Sequence, residues 1–247
     1  MTDRQPFGQI GRKIIITGHY GSGKTEFAVS LAMLLAGTQE GGAPVSHGDL
    51  VSHNAPVSLI DLDIVNPYFR SRERREMLEN AGITVYGSVF DEEITTELPA
   101  LGANVRAPLE DVSRRVIIDV GGNDTGALVL NQFSKYFKDD ATVLAIVNAN
   151  RMDTCSVDGA LEHISAIEAI TGLTVSEIVN NTHLLRETTA DDIIKGYELC
   201  EEICKKSGKH LLLNCYPEGL VDPDSLAGLT GSLMPLGLYM RPAWLDK

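Results

Sequence analysis

Gly18-His-Tyr-Gly-Ser-Gly23-Lys24-Thr25 is the stretch that decides how this chain is read. It stands directly after the β-branched run Lys13–Thr17 (KIIIT). Directly after it comes an amphipathic stretch whose Phe27, Leu31, Leu34 and Leu35 share one helical face. The pattern is G-x-x-x-x-G-K-[ST] in full, set at a strand-to-helix junction. Glycines let such a loop curl until successive backbone N–H groups converge on phosphate oxygens, and the helix N-terminus adds its partial positive charge. In this frame Gly18, His19, Tyr20, Gly21, Ser22 and Gly23 form the wrap, with Glu26 opening the helix behind it. Lys24 reaches the terminal phosphates and the Thr25 hydroxyl is a Mg²⁺ ligand.

Working outward, short apolar runs alternate with longer amphipathic stretches, which predicts βαβ units and a mainly parallel sheet. The expected strands are 13–17, 57–61, 83–86, 115–120, 143–147, 176–180 and 211–215. Several are almost continuously apolar, as strands covered on both faces are. Asn66–Pro67 is a cap-plus-proline helix start, and that helix is expected to end near Gly82. Residues 37–56, rich in Gly, Ser, Pro and His, read as a surface loop inserted between the first helix and the second strand, and 87–109 as a second irregular region. No linker divides the chain, so residues 1–247 are expected to form one domain.

Composition narrows the function classes. Lys and Arg number 21 against 34 Asp and Glu, a net charge of −13. That acidity speaks against nucleic-acid and anionic-membrane partners, which require clustered cations. No apolar run approaches the ~20 residues of a membrane span, the first residues hold no apolar signal region, and four cysteines in 247 residues are no disulfide framework. A cytoplasmic protein is expected.

A phosphate cradle needs a metal carboxylate and a group that orients the attacking nucleophile. Two strand ends offer them. One closes in Asp61-Leu-Asp63, the other in Asp119 followed by Gly121-Gly122. Asp119, after an apolar run, would hold Mg²⁺ through water, and Gly122 would present its N–H to the γ-phosphate. A cap or turn role is the other reading of Asp61 and Asp63.

Taken together, the GxxxxGKT loop, the D-x-D ending the next long strand and the later D-x-x-G strand resemble the CobQ/CobB/MinD/ParA nucleotide-binding family. That family shares its branch of the P-loop NTPases with the signal-recognition GTPases and dethiobiotin synthetase. The resemblance runs from about Lys13 to Pro217. It implies a three-layer α/β P-loop domain with roughly seven mostly parallel strands, and ATP with Mg²⁺ as ligands. Carried over by position, Lys24, Asp61 and Asp63 form the catalytic set, with Asp63 orienting the hydrolytic water. Thr25, Asp61 and Asp119 surround the metal. Asn180 would read adenine, with Asn181 inseparable from it and a capping role open to either. The loop holding Pro217 would close over base and ribose. The dimer-forming ATPases of the family carry a second lysine where this chain has His19. A homodimer here would therefore lack that charged contact across the interface.

Three activities from different classes remain open. The first is a MinD/ParA-type ATPase acting as a nucleotide switch on a protein partner. The second is an ATP-dependent ligase of the cobyrinic acid a,c-diamide synthase or dethiobiotin synthetase type, and the third is a small-molecule kinase. The guanine-reading N-K-x-D is absent, since Asn180-Asn-Thr-His does not match it, which favours adenine. Arg70 and Arg72 could clamp a second substrate or form a solvated helix face, and Arg151 is a further candidate. Cys200 and Cys204 share an apolar stripe with Ile193 and Tyr197 and read as core.

Overall fold

The computed structural model describes residues 10–37, 55–63, 74–87, 105–122 and 124–240. The start expected at Asn66–Pro67, most of the 37–56 insertion, and Arg70 and Arg72 lie outside them.

The described elements are β1 (Lys13–Thr17), α1 (Lys24–Leu35), β2 (Val57–Asp61), α2 (Arg75–Asn80), β3 (Ile83–Gly87), α3 (residues 105–110), β4 (Arg115–Asp119) and α4 (Asp124–Leu128). A 3-10 helix at Val129–Tyr136 leads into β5 (Ala141–Val147). Then come α5 (Val157–Thr171), β6 (Glu177–Asn180), α6 (Ala190–Ser207), β7 (His210–Pro217) and β8 (Ser232–Leu236). All strands pair in parallel in one eight-stranded sheet, ordered β3-β2-β4-β1-β5-β6-β7-β8.

The sheet is the middle of three layers. Side chains alternate across a strand, and in β1 Ile14 and Ile16 enter one core while Ile15 enters the other. On the first face, Phe27 and Leu31 of α1 and Leu78 of α2 fill the space over the strands. The second face carries Val105 and Leu109 of α3, Phe133 of the 3-10 helix, Ile164 of α5 and Cys200 and Ile203 of α6. Helix ends follow local chemistry. Ser156 caps α5, Thr189 and Asp192 form a reciprocal capping box on α6, and Gly172 and Gly208 end the two helices in left-handed conformations.

Two sequence expectations are corrected. Residues 105–110, taken as part of an irregular region, are helical: Val105 and Leu109 are four apart and both buried. The Arg12 guanidinium caps that helix, donating to the carbonyls of Leu109 and Asp111. An eighth strand, β8, joins the seven expected, although Pro235 stands within it. It lies at the sheet edge, where a residue without an N–H costs no ladder bond on its open side.

The C-terminal ends of the strands share one edge, and β1 lies at its middle with later strands added on both sides. Ligands of open α/β sheets bind at that position. Phe133, 1% exposed, is a main strut of the second core. Phe133→Ala is expected to lower unfolding free energy by about 3–5 kcal/mol in urea denaturation.

Candidate functional site

The loop between β1 and α1 is a closed wrap. Ser22 N donates to His19 O (3.1 Å), and Gly23 enters α1 with φ 83°. A side chain at Gly23 is excluded by sterics as well as by φ. A Cβ there would lie 2.5 Å from Asn181 Nδ2 and 2.8 Å from His183 Nε2. Gly122 presses on the opposite side, where an added Cβ would stand 2.6 Å from Lys24 Nζ and 2.9 Å from Tyr20 N. Lys24 is buried and donates to His19 O (3.1 Å). Burial lowers its pKa, and the charges of Asp119 and Asp63 oppose that shift.

Those carboxylates sit on the same side of the wrap. Asp61 pairs in register with Asp119 across β2 and β4. The backbone N–H of Asp63 donates to Asp61 Oδ1 (3.0 Å), turning the chain so that Asp63 Oδ1 approaches Gly121. Asp119 Oδ2 accepts from the Thr25 hydroxyl (2.7 Å). Burial first, then the charge of Asp61, raises the Asp119 carboxyl to about 7. Asp119 Oδ1 is buried and has no hydrogen-bond partner.

This group fits Mg²⁺. The charges of Asp63 and Asp119 act on the Lys24 ammonium, and the orphaned Asp119 oxygen suits a donor such as a metal-bound water. No three His, Cys, Asp or Glu side chains converge into a cage among the described residues. The protein would therefore supply the Thr25 hydroxyl directly and Asp119 through water, the sparse coordination that Mg²⁺ with its retained waters accepts.

A cavity of about 220 Å³ runs from the wrap, past Asn181, Thr182 and His183, to Cys215, Tyr216, Pro217, Leu236, Leu238 and Met240. Of the two asparagines, Asn180 is in the core rather than on this wall. Its amide donates to Ile193 O and Asn214 Oδ1, and its oxygen accepts from Thr182 N. Asn181 lines the cavity, and its Nδ2 holds Ser22 O (2.8 Å). Pro217 is on the wall, at the end of β7.

Three further features were not anticipated in these roles. Asn148, fully buried after β5, accepts from Asn150 N and His183 N while its amide lies near His183 O and Gly21 O. Arg151 Nε donates to Gly21 O (2.8 Å), so Arg151 braces the wrap from the cavity side. His183 is depressed to about 4 by burial, with help from Arg151, and is a neutral imidazole at pH 7. The available signal was position, since Asn148 follows the apolar run of a parallel strand directly. His19 points along its own chain, 3.5 Å from Asp153 and edge-on to His163. Glu26 lines the cavity, but both its oxygens accept main-chain N–H groups of Tyr239 and Met240; burial raises it to about 7. Cys200 is buried in the core and Cys204 half-buried beside it.

The architecture is that of known proteins. FtsY from Mycoplasma mycoides superposes with a TM-score of 0.52 at 13% identity, covering 83% of this chain and 59% of that one. Cell division protein FtsY from Thermotoga maritima gives 0.52 at 17% identity, covering 86% and 64%. The chain thus spans about three-fifths of the length of these structures. The likeness establishes a three-layer P-loop NTPase fold. No family model matches the sequence, and no curated protein matches it. No described helix is long and apolar enough to cross a membrane.

Two measurements probe the site. Gly122→Ala is expected to weaken phosphate-ligand binding at least tenfold in calorimetry, because its methyl group would displace the Lys24 ammonium. His183 takes up a proton at about 4 when folded and near 6.5 when unfolded. The unfolded chain therefore binds more protons between those values, and stability falls as pH drops through them. His183→Gln is expected to remove about 2 kcal/mol of the loss between pH 7.5 and 5 in urea melts at the two pH values.

Proposed function

We propose that this chain binds ATP with Mg²⁺ and hydrolyses it as a nucleotide switch acting on a protein partner. The observation that carries this reading is the Lys24-Thr25-Asp119 arrangement: a buried ammonium beneath a backbone wrap, with a threonine hydroxyl bonded to a carboxylate whose other oxygen is orphaned. Such a site neutralises a phosphate chain and positions a metal against it. When bound, Mg²⁺ supplies charge for the developing negative oxygens. Lys24 does the same from the side of the wrap. Gly122, packed on that wrap, offers its N–H toward the terminal phosphate.

Asp63 is the group for the attacking water. It is buried at the phosphate end of the cavity and faces Lys24 and Gly121. There it can accept a proton or hold the water in line. Asp61 fixes Asp63 by accepting its backbone N–H and repels the charge of Asp119. The far end of the cavity favours adenine. Guanine offers two adjacent N–H donors and is best met by a carboxylate. The carboxylates on the described wall are Asp63, at the phosphate end, and Glu26, whose oxygens are already taken. Asn181, which lines the cavity and whose carbonyl oxygen can still accept, takes the place of Asn180 in this reading.

His19 bears on assembly. Its ring is turned toward Asp153 and His163 of its own chain. That orientation supports a switch that completes its phosphate site without a cation from a second copy.

Lys24→Ala is expected to abolish ATP binding in calorimetry. Asp63→Ala should bind ATP within threefold of the parent while phosphate release falls at least a hundredfold. Full turnover by the Asp63 variant would remove the water-orienting role.

A further inference from the structure

α1 is buried on nearly all its faces, because the sheet covers one side and the chain beyond β8 covers another. Residues 237–240 lie along its first two turns as a strap. Gly237 N donates to Ser30 Oγ (3.3 Å), while Tyr239 N and Met240 N donate to the two carboxylate oxygens of Glu26 at 2.5 and 3.0 Å. Between these ties Leu238 takes φ 50°, a left-handed conformation that leucine adopts only when its surroundings impose it. Leu238 and Met240 then stand on the cavity wall with Pro217.

An acidic residue in the first turn of a helix is ordinarily a surface group that complements the helix dipole. Glu26 differs in gripping backbone more than two hundred residues further along the chain. Because both oxygens of one carboxyl group accept main-chain N–H groups, the strap is tied at two adjacent residues. The residue also follows Lys24 and Thr25 without a break. The phosphate end and the apolar end of the cavity are therefore joined through one turn of helix.

We propose that Glu26 is a positioning residue that makes no ligand contact of its own: it holds the 237–240 strap as the wall against which a nucleobase packs. The inference rests on the nucleotide reading of the site and adds a division of labour to it. The carboxylate serves the base end, so ligands that lack a base should not sense it.

The test is calorimetry on the full chain with Mg-ATP and with Mg-tripolyphosphate. The unsubstituted protein is expected to bind both. Glu26→Ala should weaken ATP at least tenfold and tripolyphosphate less than twofold. Glu26→Gln, whose amide oxygen can still accept one of the two N–H groups, should fall between. Equal losses for the two ligands, or no loss for either, would overturn the proposal. An unsubstituted protein that binds neither ligand would instead overturn the nucleotide reading beneath it. Hydrogen exchange on the unsubstituted protein gives an independent measure that needs no variant to fold. The Tyr239 and Met240 amides should slow with ATP but not with tripolyphosphate, and equal behaviour with the two ligands would also overturn it.

Discussion

A loop of backbone N–H groups can hold a polyphosphate only if its curvature is fixed before the ligand arrives, and here close contact with its neighbours fixes it. Asn181 and His183 press on Gly23 from one side and Gly122 on Lys24 from the other, at separations that leave no room for a methyl group. Arg151 and Asn181 hold the outward-facing carbonyls of Gly21 and Ser22. The wrap cannot relax toward an extended chain without breaking into these neighbours. Preorganisation of this kind supplies electrostatic stabilisation without a reorganisation cost at the moment of reaction.

The same contacts explain the sheet order around the site. β4 and β5 flank β1, so the carboxylate at the end of β4 and the asparagine after β5 reach the wrap from opposite sides. β2, one strand further out, brings Asp61 into register with Asp119. The burial of these like charges is unfavourable by itself, as the raised Asp119 carboxyl shows. The Lys24 ammonium offsets part of that cost, acting against the upward shift of Asp119.

Much of this was legible in the sequence because its signals are local. The wrap is eight consecutive residues, the carboxylates end apolar runs, and a parallel sheet follows from runs covered on both faces. What escaped is non-local or carried by residues with weak preferences. β8 contains a proline and depends on β7 for its pairing. α3 spans only six described residues and is capped by Arg12, about a hundred residues away. Glu26 looks like an ordinary first-turn acid, and only the fold brings residues 239 and 240 to it.

The two neighbouring asparagines show the limit most directly. At the end of a strand successive side chains point to opposite faces, so adjacent identical residues receive opposite environments. Asn180, the last residue of β6, is drawn between the sheet and α6. There Ile193 O, Asn214 and Thr182 N meet its hydrogen-bonding groups, and a Cβ on the facing Gly196 would lie 2.3 Å from its oxygen. Asn181 falls one step past the strand and turns to the wrap. A buried amide must be paired, and the core at Asn180 already contains the partners, so that side chain cannot turn outward without orphaning them. Composition and spacing are the same for both residues. The pleat and the partners across it assign one to the core and the other to the cavity.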